Sequence, residues 1–392
     1  MKNLTDPRQF LMDSAAICGQ LGISADTLYA YVSRGLIRKI AHPQDGRRSL
    51  YHQGDFEHLL RRKTSGRSRE TIAASTISWG EPVLQSCITE IRDQQLYYRG
   101  HDAVELSSTH SFEEVFELLL GERFRGGLPV VDPDALKVSR GLTPIHRVMM
   151  MLAQEAVSIG SNGGTQTARR LLRQAGLVIA GLDEDDETRT LDQLITQTWS
   201  SHPHAAHIVR GALILCADHE LNASTYAARV AASANANLPA ALLAGVATLS
   251  GDAHGGMTNL CIKWKREAQA ALKAGRTLPK LDQGKAPPGF GHPFYPDGDP
   301  RALALISACG SPVEWVQLVE IVCEQTGFTP TLDFGLALVE EHLDLPHGSG
   351  LGIFALGRMA GWLAHIFEQR KKGKLIRPRA MFSGHRAQTS NG

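Results

Sequence analysis

Apolar residues fall at helical spacing along much of this chain. The clearest run is Ser111–Gly121, where Phe112, Val115, Phe116, Leu119 and Leu120 share one helical face. Ser111 and Glu114, three apart at its start, form a capping-box pattern. Residues 205–218 and 240–249 read as apolar helices. A further helix spans Phe354–His365, with a single arginine, Arg358, among small and apolar residues that suit close packing. Met149-Met150-Met151-Leu152 opens another helix, and its methionines read as core filler. Residues 121–146 and 181–205 show no clear period and read as loop-rich. Alanine and leucine are abundant and Val/Ile/Thr alternation is scarce, so the pattern predicts a mostly helical fold.

The N-terminal stretch has its own pattern. A short apolar helix ends near Gly22, and Ser24 suits the N-cap of a second helix over Ala25–Arg34, with Gly35 after it. Gly46–Tyr51 reads as a turn into a short strand, and Asp55–Arg62 as a third helix. Two short helices joined around Gly22-Ile23-Ser24 have helix-turn-helix spacing. This part resembles the winged helix-turn-helix of the mercury-resistance-regulator and excisionase type, which implies a second helix in the major groove of DNA and a basic wing. Residues 31–70 hold ten Lys/Arg against four Asp/Glu, a local excess of +6 in a chain of net charge +1. Arg34, Arg38, Arg47 and Arg48 are the candidates for phosphate contact. The Ser-, Gly- and Arg-rich segment Lys63–Arg69 reads as a linker. The expected organisation is therefore a module and linker over residues 1–68 and a large body over 69–392.

Composition narrows the class without naming it. The 392 residues are 43% hydrophobic and 21% charged, as in globular proteins, and near-neutral charge argues against a polyanion binder overall. Six cysteines lie scattered without C-x-x-C spacing and read as buried, reduced thiols. The first residues lack an apolar signal core, and no uninterrupted apolar run reaches the ~18 residues of a membrane span. The expected setting is cytoplasmic, away from membranes.

Candidate chemistry sits where helical patterns break. Gly289–Ala302 holds three glycines, three prolines, His292 and Arg301, a stiff turning segment suited to presenting side chains. After the helix over 205–218 comes a polar knot, Asp218-His219-Glu220-Leu221-Asn222-Ala223-Ser224, which suggests a lined cavity. His254 precedes Gly255-Gly256, where backbone can approach a ligand closely. Asp333 is the one carboxylate in the apolar run Pro330–Leu338; burying it demands a partner or a task. Ile376-Arg377-Pro378-Arg379 is a basic turn near the end.

These segments, with Tyr98-Arg99-Gly100-His101-Asp102 and Ser111–Val115, resemble citrate synthase in a consistent order over residues 72–385. The departures resemble the subgroup of that family with an N-terminal helix-turn-helix. The resemblance implies a nearly all-helical homodimer whose small domain, about residues 256–344, closes over a cleft in a large domain. It implies an acyltransferase of the tricarboxylic acid cycle that condenses acetyl-CoA with oxaloacetate as substrates, with no separate cofactor and no metal. By the same resemblance Asp333 is the base at the acetyl methyl, His254 donates to the thioester oxygen, and His292 protonates the oxaloacetate carbonyl. His219, Arg301, Arg358 and, from the other subunit, Arg377 hold the carboxylates, and Phe354 packs against the bound acid. Three alternatives stay open. They are propionyl-CoA as donor (2-methylcitrate synthase), the reverse lyase direction, and a DNA-binding regulator that uses this body as a sensor. Pro293 and Pro296 stand where the family often carries basic residues near the CoA phosphates, which leaves Lys263, Lys265 and Arg266 as candidates. Met257-Thr258-Asn259, Thr331 and Gly335-Leu336-Ala337 depart from the family pattern without touching the acid–base set.

Overall fold

The computed structural model describes residues 11–34, 36–42, 45–52, 55–56, 59–60, 84–137, 141–158, 163–279 and 286–380. Among the described residues the N-terminal elements are β1 (Leu11–Asp13), α1 (Ser14–Leu21), α2 (Ala25–Ser33), β2 (Lys39–His42) and β3 (Asp45–His52). The strands form one antiparallel sheet in the order β1-β3-β2. The break between the helices falls where the pattern places it. Gly22 adopts a left-handed φ of 56°, which glycine reaches without steric cost, and Ser24 Oγ accepts from Thr27 N at 3.2 Å. Ile17, Leu21, Leu28, Ile37, Tyr51, Phe56 and Leu59 form a small core separate from that of the body. Of the expected third helix, Asp55, Phe56, Leu59 and Leu60 are helical; its other residues and the linker Lys63–Arg69 lie outside the described residues.

The body opens with an antiparallel meander, β4 (Thr89–Arg92), β5 (Gln95–Tyr98) and β6 (His101–Asp102), and is otherwise helical. In order come α3 (Ala103–Thr109), α4 (Phe112–Leu120), α5 (Pro144–Ser158), α6 (Thr165–Ala180), α7 (Leu191–Trp199) and α8 (Ala205–Cys216). Then follow α9 (Ala223–Ser233), α10 (Leu238–Leu249), α11 (Met257–Lys273), α12 (Pro300–Ala308), α13 (Val313–Thr326), α14 (Leu332–His342) and α15 (Ser349–Lys372). The capping box of α4 forms as read: Ser111 Oγ accepts from Glu114 N, and Glu114 accepts from Ser111 N at 2.8 Å.

The 24-residue α15 is the axis of the body and packs against α4, α5, α6, α8, α9, α10, α11 and α14. Its glycines make that possible, since a Cβ at Gly357 would lie 2.5 Å from Leu213 O of α8. By length and composition α15 could cross a membrane (mean hydropathy 1.3), yet 94% of that window is buried inside the protein.

Three expectations change. Residues 181–205 are not all loop: α7 lies there, with Gln193 accepting from Thr190 N at 3.1 Å, and Leu191, Leu194, Ile195 and Trp199 form a buried helical face over a stretch of only nine residues. The meander at residues 89–102 escapes a helix-centred reading because its strands are two to four residues long. Cys216, Cys261 and Cys309 are buried free thiols, but Cys87 is exposed.

Candidate active site

The polar knot after α8 turns sharply, with Glu220 at a left-handed φ of 51°. It delivers His219 into the interior, where Nε2 lies 2.9 Å from the hydroxyl of Tyr295. Asn222 caps α9 by accepting from Thr225 N at 3.0 Å, which fixes the next turn and with it Ser224.

Gly289–Ala302 is held by backbone pairing. Gly291 N donates to Thr329 O at 2.9 Å and Thr331 N to Gly289 O at 2.8 Å, so residues 289–291 and 329–331 run antiparallel. Gly289 and Gly291 both have positive φ, and a Cβ at either would run into Cys261 or Phe328. One paired ribbon thus leads to His292 on one side and Asp333 on the other. The His292 ring meets His219 edge-on at 5.1 Å between centroids. Its Nδ1 accepts from Phe294 N at 3.2 Å, which puts the ring proton of the neutral form on Nε2.

Asp299 caps α12 and ties the site together. It accepts from Arg301 N at 3.0 Å and Nε at 2.9 Å through Oδ1, and from Arg301 Nη2 at 2.8 Å and Leu332 N at 3.0 Å through Oδ2. Both members of this ion pair are buried. Arg301 also lies over the Tyr295 ring, 5.2 Å from its centroid.

His254 stands in the turn between α10 and α11. Its Nε2 is 2.8 Å from Ser224 Oγ, and its ring packs edge-on against Phe354 at 6.0 Å. Arg358, one turn after Phe354 on α15, lies 5.0 Å over the Phe354 ring and donates through Nε to Cys216 O at 2.7 Å. Its Nη1 is buried without a hydrogen-bond partner. A buried guanidinium nitrogen in that state is a ready anion donor.

Burial sets the protonation states. Desolvation, then Arg358, lowers His254 to about 4; desolvation, then Arg301, lowers His292 to about 4. His219 is pushed well down by burial and then by Arg301. Asp333 moves the other way: desolvation raises its carboxyl to about 6, although Thr258 Oγ1 donates to Oδ1 at 2.7 Å. Near neutral pH the site therefore holds Asp333 ionised beside three neutral imidazoles and Arg358, with Arg301 in its ion pair with Asp299. That set can remove a weakly acidic carbon-bound proton while a neutral imidazole supports the adjoining oxygen.

His219, His254, His292, Arg301, Asp333, Phe354 and Arg358 thus converge. Arg377 does not join them within one chain. It is exposed, and its neighbour Ile376 donates to Ser233 at the far end of α9, about 13.5 Å along that helix from Ser224. The candidates for CoA phosphates fare unevenly. Lys265 is buried against Glu341 and over Trp315, Arg266 pairs with the same Glu341 at 3.1 Å, and Lys263 is exposed. Of the arginines read as DNA-facing, Arg34 and Arg48 are exposed, and the Arg47 side chain lies outside the described part. Arg38 is committed elsewhere, in a bidentate pair with Asp55 and over the Phe328 ring.

Four residues earned no role from the sequence: Ser224, Thr258, Tyr295 and Asp299. Two carried a local signal: Asp299, in an Asp-Pro N-cap pattern two positions before Arg301, and Ser224, at the end of the polar knot after α8. The site contacts of Ser224, Thr258 and Tyr295 span 30 to 76 positions of sequence.

Comparison with known proteins identifies the family and the fold. The family model "Citrate synthase, C-terminal domain" matches residues 166–379. Citrate synthase 2 of Bacillus subtilis is 30% identical over 82% of this chain and 96% of its own length. The 2-methylcitrate synthase 2 of Corynebacterium glutamicum is 28% identical over 74% of this chain and 88% of its own. Among solved structures, citrate synthase of Thermoplasma acidophilum, in a ternary complex with carboxymethyl coenzyme A and oxaloacetate, aligns with a TM-score of 0.64 at 22% identity. It covers 78% of this chain and 95% of that one. Citrate synthase of Thermotoga maritima gives 0.63 at 21% identity, over 78% and 94% of the two chains. This chain belongs to the citrate synthase family, whose members are acyl-transferring enzymes.

Proposed function

We propose that the protein is a citrate synthase: it condenses acetyl-CoA with oxaloacetate and hydrolyses the resulting thioester to citrate and CoA. The observation that carries this reading is the convergence of Asp333, raised to about 6, with two histidines lowered to about 4 and with Arg358 Nη1 unpartnered beside them. Asp333 takes a proton from the acyl α-carbon as His254 donates to the thioester oxygen, giving the enol. The Ser224 hydroxyl, which donates to Asn222 Oδ1 at 2.7 Å, lies 2.8 Å from His254 Nε2 and holds the ring in place. The enol carbon attacks the oxaloacetate carbonyl, and His292 Nε2–H protonates the oxygen that develops there. Arg358, Arg301 and His219 hold the carboxylates, since planar guanidinium forks match them and stay charged. Water then cleaves the thioester, releasing CoA. The solved Thermoplasma acidophilum complex with carboxymethyl coenzyme A and oxaloacetate supports this substrate pair.

In this reading the enzyme is a cytoplasmic homodimer in which each subunit's Arg377 completes its partner's site. Residues of about 256–344 form the small domain, and residues 1–68 form a separate module with its linker. Oxaloacetate-dependent thiol release from a panel of acyl-CoAs tests the reaction. Preference for propionyl-CoA would make the protein a 2-methylcitrate synthase, a possibility the Corynebacterium relative keeps open.

A second reading rests on the paired helices α1 and α2, the two-stranded hairpin after them and the exposed Arg34 and Arg48. It makes the protein a DNA-binding regulator with the body as ligand sensor. Two modules on a dimer would address a two-fold symmetric site. Salt-sensitive retardation of the DNA upstream of its own coding sequence tests it; no retardation at low salt removes it.

A further inference from the structure

The N-terminal elements are not simply tethered to the body. His52, at the end of β3, is buried, with its ring 5.6 Å from that of Phe328 in the segment between α13 and α14. Arg38 lies over the same ring, 5.1 Å from its centroid. Its plane is fixed by Asp55, which accepts from Nε at 2.9 Å and Nη2 at 3.0 Å, and also from Arg38 N at 2.9 Å. His52 N in turn donates to Arg38 O at 3.1 Å. Gly327 makes room for this contact: a Cβ there would lie 2.7 Å from His52 Cε1.

Phe328 also meets the ribbon that leads to His292. A Cβ at Gly291 would lie 2.8 Å from Phe328 Cδ1, so the ring rests directly on the residue before His292. The next residue, Thr329, accepts the Gly291 N–H at 2.9 Å. Phe328 therefore stands between the N-terminal elements and the backbone that aims His292. Two residues on, the same ribbon enters α14 at Thr331 and Leu332, ahead of Asp333.

We infer that Phe328 is a positioning residue for His292, and that the N-terminal module, docked through His52 and Arg38, holds it in place. The module thereby gains a means of altering catalysis without touching substrate. Anything that draws His52 and Arg38 away from Phe328 loosens the turn carrying the carbonyl acid. Only the kinetic part of this inference rests on the citrate synthase reading.

The test compares His52→Ala, Phe328→Ala and the double variant in the full-length chain, with Phe328→Tyr as the conservative control. Each single substitution should lower kcat about fivefold, a typical size for coupling through a packed contact, with KM for oxaloacetate changed less than about twofold. The double variant should lose no more than the worse single, because both break one contact. Phe328→Tyr should restore kcat. Hydrogen exchange supplies a readout free of activity: the amides of Gly291 and Thr331 should exchange faster in both single variants, with those of α15 unchanged. Arg38→Ala, which removes the cation over the Phe328 ring, should reproduce the exchange result if His52→Ala does not fold. Unchanged exchange at Gly291 in these variants, or losses in kcat that multiply in the double variant, would overturn the inference. If the wild-type protein releases no thiol, the citrate synthase reading fails by itself, and the exchange measurement still decides this one.

Discussion

Thr258 donates its hydroxyl proton to Asp333 Oδ1 at 2.7 Å, a bond that steadies the ionised carboxylate inside the protein. Thr258 is fully buried in the first turn of α11, so no water replaces it. Thr258→Val keeps the shape and removes the donor. Burial then acts on Asp333 with less opposition, and the acid limb of kcat/KM should move up by about one pH unit. Thr258→Ser should leave the limb in place. A Thr258→Val profile that overlays the wild type would show that the bond does not tune the base.

The pH dependence of the reaction has a definite sign. Asp333 titrates near 6, while His254 and His292 titrate near 4. The rate should rise with unit slope through about pH 6 and level off above it, with neither histidine adding a step there. Stability moves by linkage. Between 6.5 and about 4 the unfolded chain protonates these histidines and the native site refuses the protons, so acidification destabilises the fold. Asp333, raised from 3.8 to about 6, binds its proton in the native state first and works the other way. Three histidines including His219 outweigh one carboxylate, so the melting temperature should fall between pH 7 and pH 5. A rise would contradict these assignments.

Asp299 is predicted to matter for stability as well as for substrate. Removing it leaves Arg301 buried and charged without its bidentate partner, and frees Leu332 N. Asp299→Ala should cost about 3–5 kcal/mol, the usual penalty for stranding one member of a buried pair. Asp299→Asn, which keeps an acceptor, should cost less. Urea unfolding of both variants decides the matter, and equal stability of Asp299→Ala and wild type would remove the buried pair from the account.

Arg358 should be intolerant of lysine. Its Nε is fixed by Cys216 O while Nη1 is left to an incoming carboxylate, a division of labour an ammonium cannot reproduce. Arg358→Lys should reduce kcat/KM for oxaloacetate about a hundredfold, in line with losing a charge-assisted hydrogen bond in a buried site. A loss under tenfold, with the protein folded, would assign the carboxylate to other groups.

What was legible in the sequence follows from the range of each interaction. The capping box at Ser111 and Glu114, the turn at Gly22 and Ser24, and the helical faces of α4, α8 and α10 are local, so spacing reveals them. The seven converging site residues were legible only through a resemblance spread over distant segments, because no local pattern says that His219 and His292 meet. Thr258 and Asp333 are 75 positions apart, His219 and Tyr295 76 apart, and nothing in a threonine or tyrosine at those places marks a partner. The pairing of Arg38 with Asp55 and Phe328 was hidden for the same reason. A run of basic residues reads as a solvent-facing patch until one of them is seen turned against the body.

In the proposed reaction Asp333 begins carbon–carbon bond formation between an acyl-CoA and oxaloacetate. Release of free CoA thiol, followed with acetyl-, propionyl- and butyryl-CoA in the presence and absence of oxaloacetate, tests it directly. The prediction is oxaloacetate-dependent release, greatest with acetyl-CoA and abolished in Asp333→Ala. No release from any of these thioesters by the folded wild-type protein, or release that Asp333→Ala leaves intact, would contradict it.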